Sequence, residues 1–401
     1  MIPRKRLDIG WSDLLYGLFR CLWPGDRAEV RDRIERFWSS EGASLACLSV
    51  RSGFDALLHV LDLPPGSEVL MSALTIRDMT RIVEENGLVP VPVDLDARTL
   101  AVRPESLARA VTPKTRAIVV AHLFGSRMPM EPVVRFAREN HLFVIEDCAQ
   151  AYTGDEYRGH PESDVSLFSF GPIKTATALA GGMLRFRDRS LGDRVRSWQS
   201  RWPVQSRWKF TTRLAKYSFL KLLSYPSVFT LFAWGCKAVG ASHDAVISGS
   251  VRGFAGPGFF DKIRQRPSAP LLRLLERRFR NFDRSGIAER TRRARQTIDL
   301  FPDLERPGDE AAFHTYWVFP VLDDDPERLI HHLWARGIDA TRGASSLCVV
   351  APPEDRPETD PAEALAMFAR LLYVPVDAGL ARRDAERPAR PDPRPDRMAA
   401  S

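Results

Sequence analysis

Between Val165 and Leu184 the chain carries one charged residue, Lys174, set in the run FSFGPIKTATALAGG at 168–182. A lysine amine at its ordinary pKa of about 10.4 is a poor nucleophile at neutral pH. Making it half neutral there takes a displacement of about 3 pH units, or about 4 kcal/mol. Apolar, charge-free surroundings push in that direction, and so does covalent use of the amine against a carbonyl. A lone lysine in such a run is more often a stem lying along apolar surface, so its partners matter. Asp147 closes the run LFVIEDCAQ, and Ser52 and Gly53 stand in RSGFDALLHVL. A strand-end carboxylate can hold a ring nitrogen protonated, which the electron sink of pyridoxal phosphate (PLP) requires. A glycine-containing turn that opens a helix offers free amides and the helix dipole to a phosphate. Each signal alone has a bland reading as cap, turn former or packing residue. Their order, phosphate turn, then carboxylate, then lysine, is far less expected by accident.

These residues need elements to hold them. From Ala46 to Asp147 the runs VLMSAL, LVPVPVD, AIVVAHLFG and LFVIEDCAQ are short and Val/Ile/Leu-rich, the mark of buried strands. Between them DMTRIVEENG, ESLARAV and MEPVVRFAREN place apolar residues three or four apart, as helices do. Such alternation predicts an α/β fold with a large, mostly parallel sheet covered on both faces. Ligands bind such sheets beyond the carboxyl ends of the strands, which selects Asp147, Gln150 and His122. At 401 residues with 44% hydrophobic content, two domains are expected. The five cysteines show no CxxC pair or regular spacing, so neither a disulfide framework nor a metal centre is indicated, and a reduced, cytoplasmic setting fits. The N-terminus has no apolar stretch of signal-peptide type.

The wording of these segments resembles the DegT/DnrJ/EryC1/StrS family, the sugar aminotransferases of PLP fold type I. IPRKRLDIG resembles the family's opening. EVLMSALTIRDMTRIVEENGLVPVPVDLD follows its second strand, helix and third strand, TPKTRAIVVAHLFG and HLFVIEDCAQAYTG its most specific stretch, and SLFSFGPIK its lysine segment. The resemblance implies a smaller α+β C-terminal domain, and a division into 1–248, 249–380 and a disordered tail 381–401. It implies PLP as cofactor, with Lys174 as Schiff-base lysine and proton shuttle, Asp147 on the pyridine nitrogen, and Gln150 near the phenolic oxygen. Ser169 and the turn of Ser52, Gly53 and Phe54 would hold the phosphate. The implied reaction takes an amino group from an amino acid donor, glutamate or glutamine, to a nucleotide-linked keto sugar, in a homodimer. A PLP dehydratase or lyase is the alternative within the class, and Lys174 speaks for transfer. A non-catalytic PLP-fold scaffold at the membrane surface is the alternative outside it.

Departures from the family pattern bear on that scaffold reading. Phe54 replaces a threonine of the phosphate turn, and Ile76, in SALTI, replaces the aromatic that stacks on the cofactor ring. Leu179 and Ala180 precede Gly181 and Gly182 where Gly-Glu-Gly-Gly is common. Arg264 stands where an asparagine reaches the neighbouring subunit's phosphate. From Arg194 to His243 there is no Asp or Glu, while nine Lys or Arg and four Trp occur. Read as a basic, aromatic insertion at about 198–243, this stretch is interrupted by Lys221 and Pro226 and is too broken to span a bilayer. Basic residues beside apolar, Trp-bearing runs suit peripheral contact with an anionic membrane. Burial between subunits or domains competes evenly with that reading, and a nucleic-acid partner is not indicated. In the C-terminal part, HTYWVFPVL opens a small sheet that LLYVPVDAGL closes, with a helix in DPERLIHHLWARGIDA.

Overall fold

The protein is described by a computed structural model over residues 7–39, 43–223, 256–343 and 346–376, with single residues and pairs between 225 and 254. Its first strand, β1 (Ser44–Cys47), is preceded by helices α1 (Trp11–Leu22) and α2 (Arg27–Trp38) and followed by α3 (Val50–Leu61). Next come β2 (Glu68–Ser72), β3 (Leu74–Ile76), α4 (Arg77–Glu85), β4 (Val89–Val93), α5 (Pro104–Ala110), β5 (Thr115–Ala121), α6 (Glu131–Glu139) and β6 (Phe143–Asp147). The strands β7 (Val165–Ser169) and β8 (Gly182–Phe186) complete a seven-stranded sheet of order β1-β8-β7-β6-β5-β2-β4. From β4 to β7 all neighbours are parallel, and β8 runs antiparallel to both β7 and β1.

Alternate residues of these strands enter opposite cores, as the two-residue period of a strand requires. Val69, Met71, Ala117 and Val119 pack in one cluster with Phe54 and Met79, whereas Leu70, Ile118 and Val120 pack in another with Leu107 and Val134. The run VLMSAL, read as one strand, is two. After Ser72 the chain leaves the large sheet, and β3 pairs antiparallel with β10 (Leu347–Val349), setting Ile76 opposite Leu347. This takes Ile76 out of the large sheet and leaves it partly buried against two core clusters.

Past the sheet lie α7 (Arg189–Ser200), α8 (Arg207–Leu223), α9 (Phe259–Ile263), α10 (Ala269–Arg280) and α11 (Ser285–Leu300). Helix α10 packs between α1 and α2, burying Leu271, Leu272, Leu274 and Leu275. The run HTYWVFPVL forms β9 (Phe319–Leu322), which pairs antiparallel with β11 (Leu371–Val374), with α12 (Pro326–Ala335) and α13 (Ala362–Arg370) between them. Among the described residues no helix is long and apolar enough to cross a membrane. The tail 381–401, expected to be disordered, lies outside the described residues.

Candidate active site

Lys174 sits in the turn after β7, its amide donating to the Gly171 carbonyl at 3.0 Å. Burial pushes its amine down to about 8; the Asp147 carboxylate pulls the other way, and the Arg51 cation adds to the downward push. Asp147, the last residue of β6, is buried, and that burial raises its carboxyl. The Ala149 amide, donating to Asp147 Oδ1 at 2.9 Å, and the charges of Lys174 and Arg51 oppose the rise. Lys174, Asp147 and Arg51 thus act on one another electrically. The first turn of α3, the end of β6 and the loop after β7 therefore meet at one place, which is where a ligand of a parallel sheet is expected.

Two further residues shape this place, and local sequence patterns gave no sign of either. The ring centroid of Trp317 lies 4.2 Å from Lys174 Nζ, a cation–π contact,. Its indole Nε1 donates to the Ile173 carbonyl at 3.0 Å. Gly125, at φ +97, makes room: a Cβ there would stand 2.6 Å from the Trp317 amide nitrogen. Arg51 ties the start of α3 to the start of α4 through Asp78, with Nε to Oδ2 at 2.5 Å. The sequence flagged Ser52 and Gly53 but not the cation beside them.

Ser52 and Gly53 lie inside the first turn of α3 and not in a loop ahead of it. The N-cap is Ser49, whose Oγ accepts from the Ser52 amide at 3.2 Å and lies 2.9 Å from Ser52 Oγ. Gly53 answers to packing, since a Cβ there would stand 2.4 Å from Leu184 Cδ1 of β8. Gly182 does the same from the other side, where a Cβ would stand 2.7 Å from the Val50 nitrogen. The two glycines let β8 run directly against the start of α3. Phe54 is fully buried in the core, so its side chain is withdrawn from any ligand and only its backbone is at hand. Ser169 ends β7, half-buried, opposite Gly182.

Gln150 Oε1 accepts from the Phe124 amide at 2.7 Å. Because that partner can only donate, the side-chain NH2 is the end left to serve an oxygen of a ligand. His122 does not face the site. Its Nδ1 accepts from the Met128 amide at 3.1 Å, so Nε2 carries the proton and donates to Glu146 Oε1 at 2.9 Å,. Burial would raise the Glu146 carboxyl, but hydrogen bonds from His122 and Tyr157 and from the His160 amide hold it well below the carboxylate range. The result is a fully partnered buried charge directly behind Asp147.

The segment after the lysine shows what became of the missing Gly-Glu-Gly-Gly. Ala176 at φ 53, Leu179 at φ 66 and Gly181 at φ 99 take left-handed conformations, which cost a non-glycine residue about 1 kcal/mol or more. Surrounding contacts hold them there. Asp8 accepts from the Ala176 amide at 2.7 Å, and the buried Arg278 of α10 donates to the Thr177 carbonyl at 3.1 Å. Leu179 and Ala180 are buried in the core beneath α10. Arg264 is taken up within the chain: Nε and Nη2 donate to Asp55 of α3 at 2.9 and 3.0 Å.

The arrangement fits the cofactor expected from the sequence. It offers a partly dehydrated amine, a buried carboxylate, an amide donor in Gln150, and a helix start with a cation beside it for a phosphate. Residues 33–219 match the model of the DegT/DnrJ/EryC1/StrS aminotransferase family. The chain is 33% identical over 178 residues to a GDP-perosamine synthase of Escherichia coli O157:H7, covering 43% of this chain and 49% of that protein. It is 35% identical over 156 residues to a GDP-perosamine synthase of Caulobacter vibrioides, covering 38% and 42%. The chain thus spans about half the length, or less, of the curated relatives it matches. Over nearly its whole length it shares the fold of the aminotransferase TlmJ from Streptoalloteichus hindustanus, with a TM-score of 0.66, 18% identity and coverage of 96% of each chain.

Proposed function

We propose that the protein is a PLP-dependent aminotransferase that moves an amino group from an amino acid, glutamate or glutamine, to a keto sugar carried on a nucleotide. The observation that carries this reading is the convergence of Lys174, Asp147 and Arg51 at the strand ends, with the lysine amine brought down to about 8. The names of the relatives, GDP-perosamine synthases, support a nucleotide-linked sugar as acceptor.

In this reading bound PLP supplies an electron sink for the pair released when a proton leaves the carbon next to the nitrogen. The chain's own residues do the rest. Lys174, its amine brought down to about 8 by burial, takes that proton and returns it one position away,. Asp147, ionised beside Lys174 and Arg51, keeps the ring nitrogen protonated. Gln150 donates its NH2 to the phenolic oxygen. Ser169, the first turn of α3 at Ser52, Gly53 and Phe54, and Arg51 hold the phosphate, the cation replacing the hydroxyl lost at Phe54. Ile76 would pack on the ring as an aliphatic side chain, and Trp317, its ring centroid 4.2 Å from the Lys174 amine, would screen that amine from water.

We read the active unit as a homodimer and place the protein at the inner face of an anionic membrane. The second point is motivated by the acid-free, Trp-bearing stretch from 194 to 243. Borohydride treatment of the PLP-loaded protein followed by peptide mass spectrometry tests the central assignment. A pyridoxyl group on Lys174, absent from Lys174→Ala, is the expected result. A label on any other lysine would remove Lys174 from the site.

A further inference from the structure

Helix α1 has two apolar faces. One, with Leu14, Gly17 and Cys21, is buried. The other turns Trp11, Leu15, Phe19 and Leu22 outward at helical spacing, with Leu15 64% and Leu22 58% exposed,. An amphipathic helix of a water-soluble protein would carry polar residues there. The acid-free segment continues this surface. Helix α8 packs against α1 with Leu214 closing on Gly17, where a Cβ would stand 2.9 Å from Leu214 Cδ2. It exposes Trp208 and Phe219, 59% and 61%, three helical turns apart. Beyond it, the Trp11 indole Nε1 donates to Tyr225 Oη at 3.0 Å, and Leu231 and Trp234 are exposed at 68% and 69%.

Charge decides the occupant. Asp13, the sole acid of α1, is buried against Arg277 and Arg278, and α8 has none. Lys209 and Lys216 are exposed on α8 among these side chains. A basic, aromatic and carboxylate-free face repels its own copy and complements anionic headgroups, while exposed tryptophans suit the headgroup level of a bilayer. Not every residue of the basic stretch takes part. Trp202 is buried, Trp198 stacks on His59 at 3.7 Å, and Arg213 turns inward to donate to the Leu179 carbonyl at 3.4 Å. Residues 236–243 of the stretch lie outside the described residues.

We infer that α1 and α8 together form an interfacial platform that seats the protein on an anionic lipid bilayer. This rests on the membrane reading above and adds to it α1, which lies far outside the basic stretch. It also links the platform to the site, because Arg213 of α8 grips the loop that follows Lys174.

The test is cosedimentation of the full chain with vesicles of phosphatidylcholine and phosphatidylglycerol, and with phosphatidylcholine alone, over a range of salt. Binding to the anionic vesicles is expected to weaken with salt without vanishing. Leu15→Ser with Phe19→Ser should lower partitioning at least about tenfold at every salt concentration. Lys209→Ser with Lys216→Ser should lower it only at low salt, by about fivefold per lysine. Thermal melting and PLP uptake, expected to match the unaltered protein, show that the variants are folded. Absence of binding at low salt overturns both the platform and the membrane reading. Binding that the α1 changes leave untouched overturns the platform and spares the reading. If those changes dissociate a dimer and leave lipid binding intact, the face belongs to a second copy and the platform is wrong.

Discussion

Replacing Asp147 by Asn should make Lys174 capture PLP faster at neutral pH and make turnover slower, two effects of opposite sign from one carboxylate. With its amine at about 8, Lys174 is about one-tenth neutral at pH 7, roughly 200-fold more than a lysine at its ordinary pKa. Asp147 opposes that depression, so removing its charge should move the midpoint of the capture rate down by about one pH unit. More amine is then neutral at pH 7, and capture should be several-fold faster. Turnover should fall by an order of magnitude or more, because a neutral partner cannot keep the ring nitrogen protonated. The assay is stopped-flow absorbance of apoprotein mixed with PLP between pH 6 and about 10.5, the range that spans both midpoints, alongside steady-state transamination. A wild-type midpoint near 10.4, or one that Asp147→Asn leaves in place, would refute the electrostatic coupling of the two residues.

Three more expectations follow from the same contacts. A buried base with a lowered pKa costs stability below its folded pKa, and the cost disappears once the unfolded lysine also loses its proton. Lys174→Met should therefore stabilise the apoprotein at pH 7 by at most about 3 kcal/mol, with the gain fading between about pH 8 and 10.5, as urea melts at several pH values would show,; a gain independent of pH would contradict the burial cost. Gly182→Ala should destabilise by about 1–3 kcal/mol and weaken PLP binding, because backbone and not a movable side chain blocks the new methyl,; unchanged melting and affinity would mean the start of α3 is free to shift. Arg264→Ala strands the buried Asp55 and, with the arginine itself partly exposed, should cost about 1–2 kcal/mol, most of it restored by adding Asp55→Asn,. Failure of that rescue, with lost cofactor affinity in size-matched dimers, would instead assign Arg264 to the neighbouring subunit's phosphate.

Much of the scaffold could be read locally, because burial imposes a period on the chain. Of the four Val/Ile/Leu runs, three are β4, β5 and β6 and the first holds β2 and the start of β3, while the three helical runs are α4, α5 and α6. The isolation of Lys174 was visible for the same reason, since one charge among small residues breaks a pattern. Contacts between distant segments leave no such trace. Trp317 reads as the start of a strand, yet its ring covers Lys174. Arg51 looks like a flanking charge until Asp147 and Lys174 are placed around it. Ser-Gly suggested a turn, whereas the glycine is there because Leu184 leaves no room for a methyl. Leu179 and Ala180 looked like damage to a polar motif and are core residues under α10. The exposed stripe of α1 is not legible in the sequence, because apolar residues at that spacing fit a buried helix equally well.

The most direct test of the account follows the visible absorbance of the PLP-loaded protein through two additions. Glutamate or glutamine should bleach it as nitrogen passes to the cofactor, and a nucleotide-linked keto sugar added afterwards should restore it, with Lys174→Ala inert to both. A spectrum indifferent to donor and acceptor in the folded, cofactor-loaded protein would contradict the assignment of amino transfer to this site.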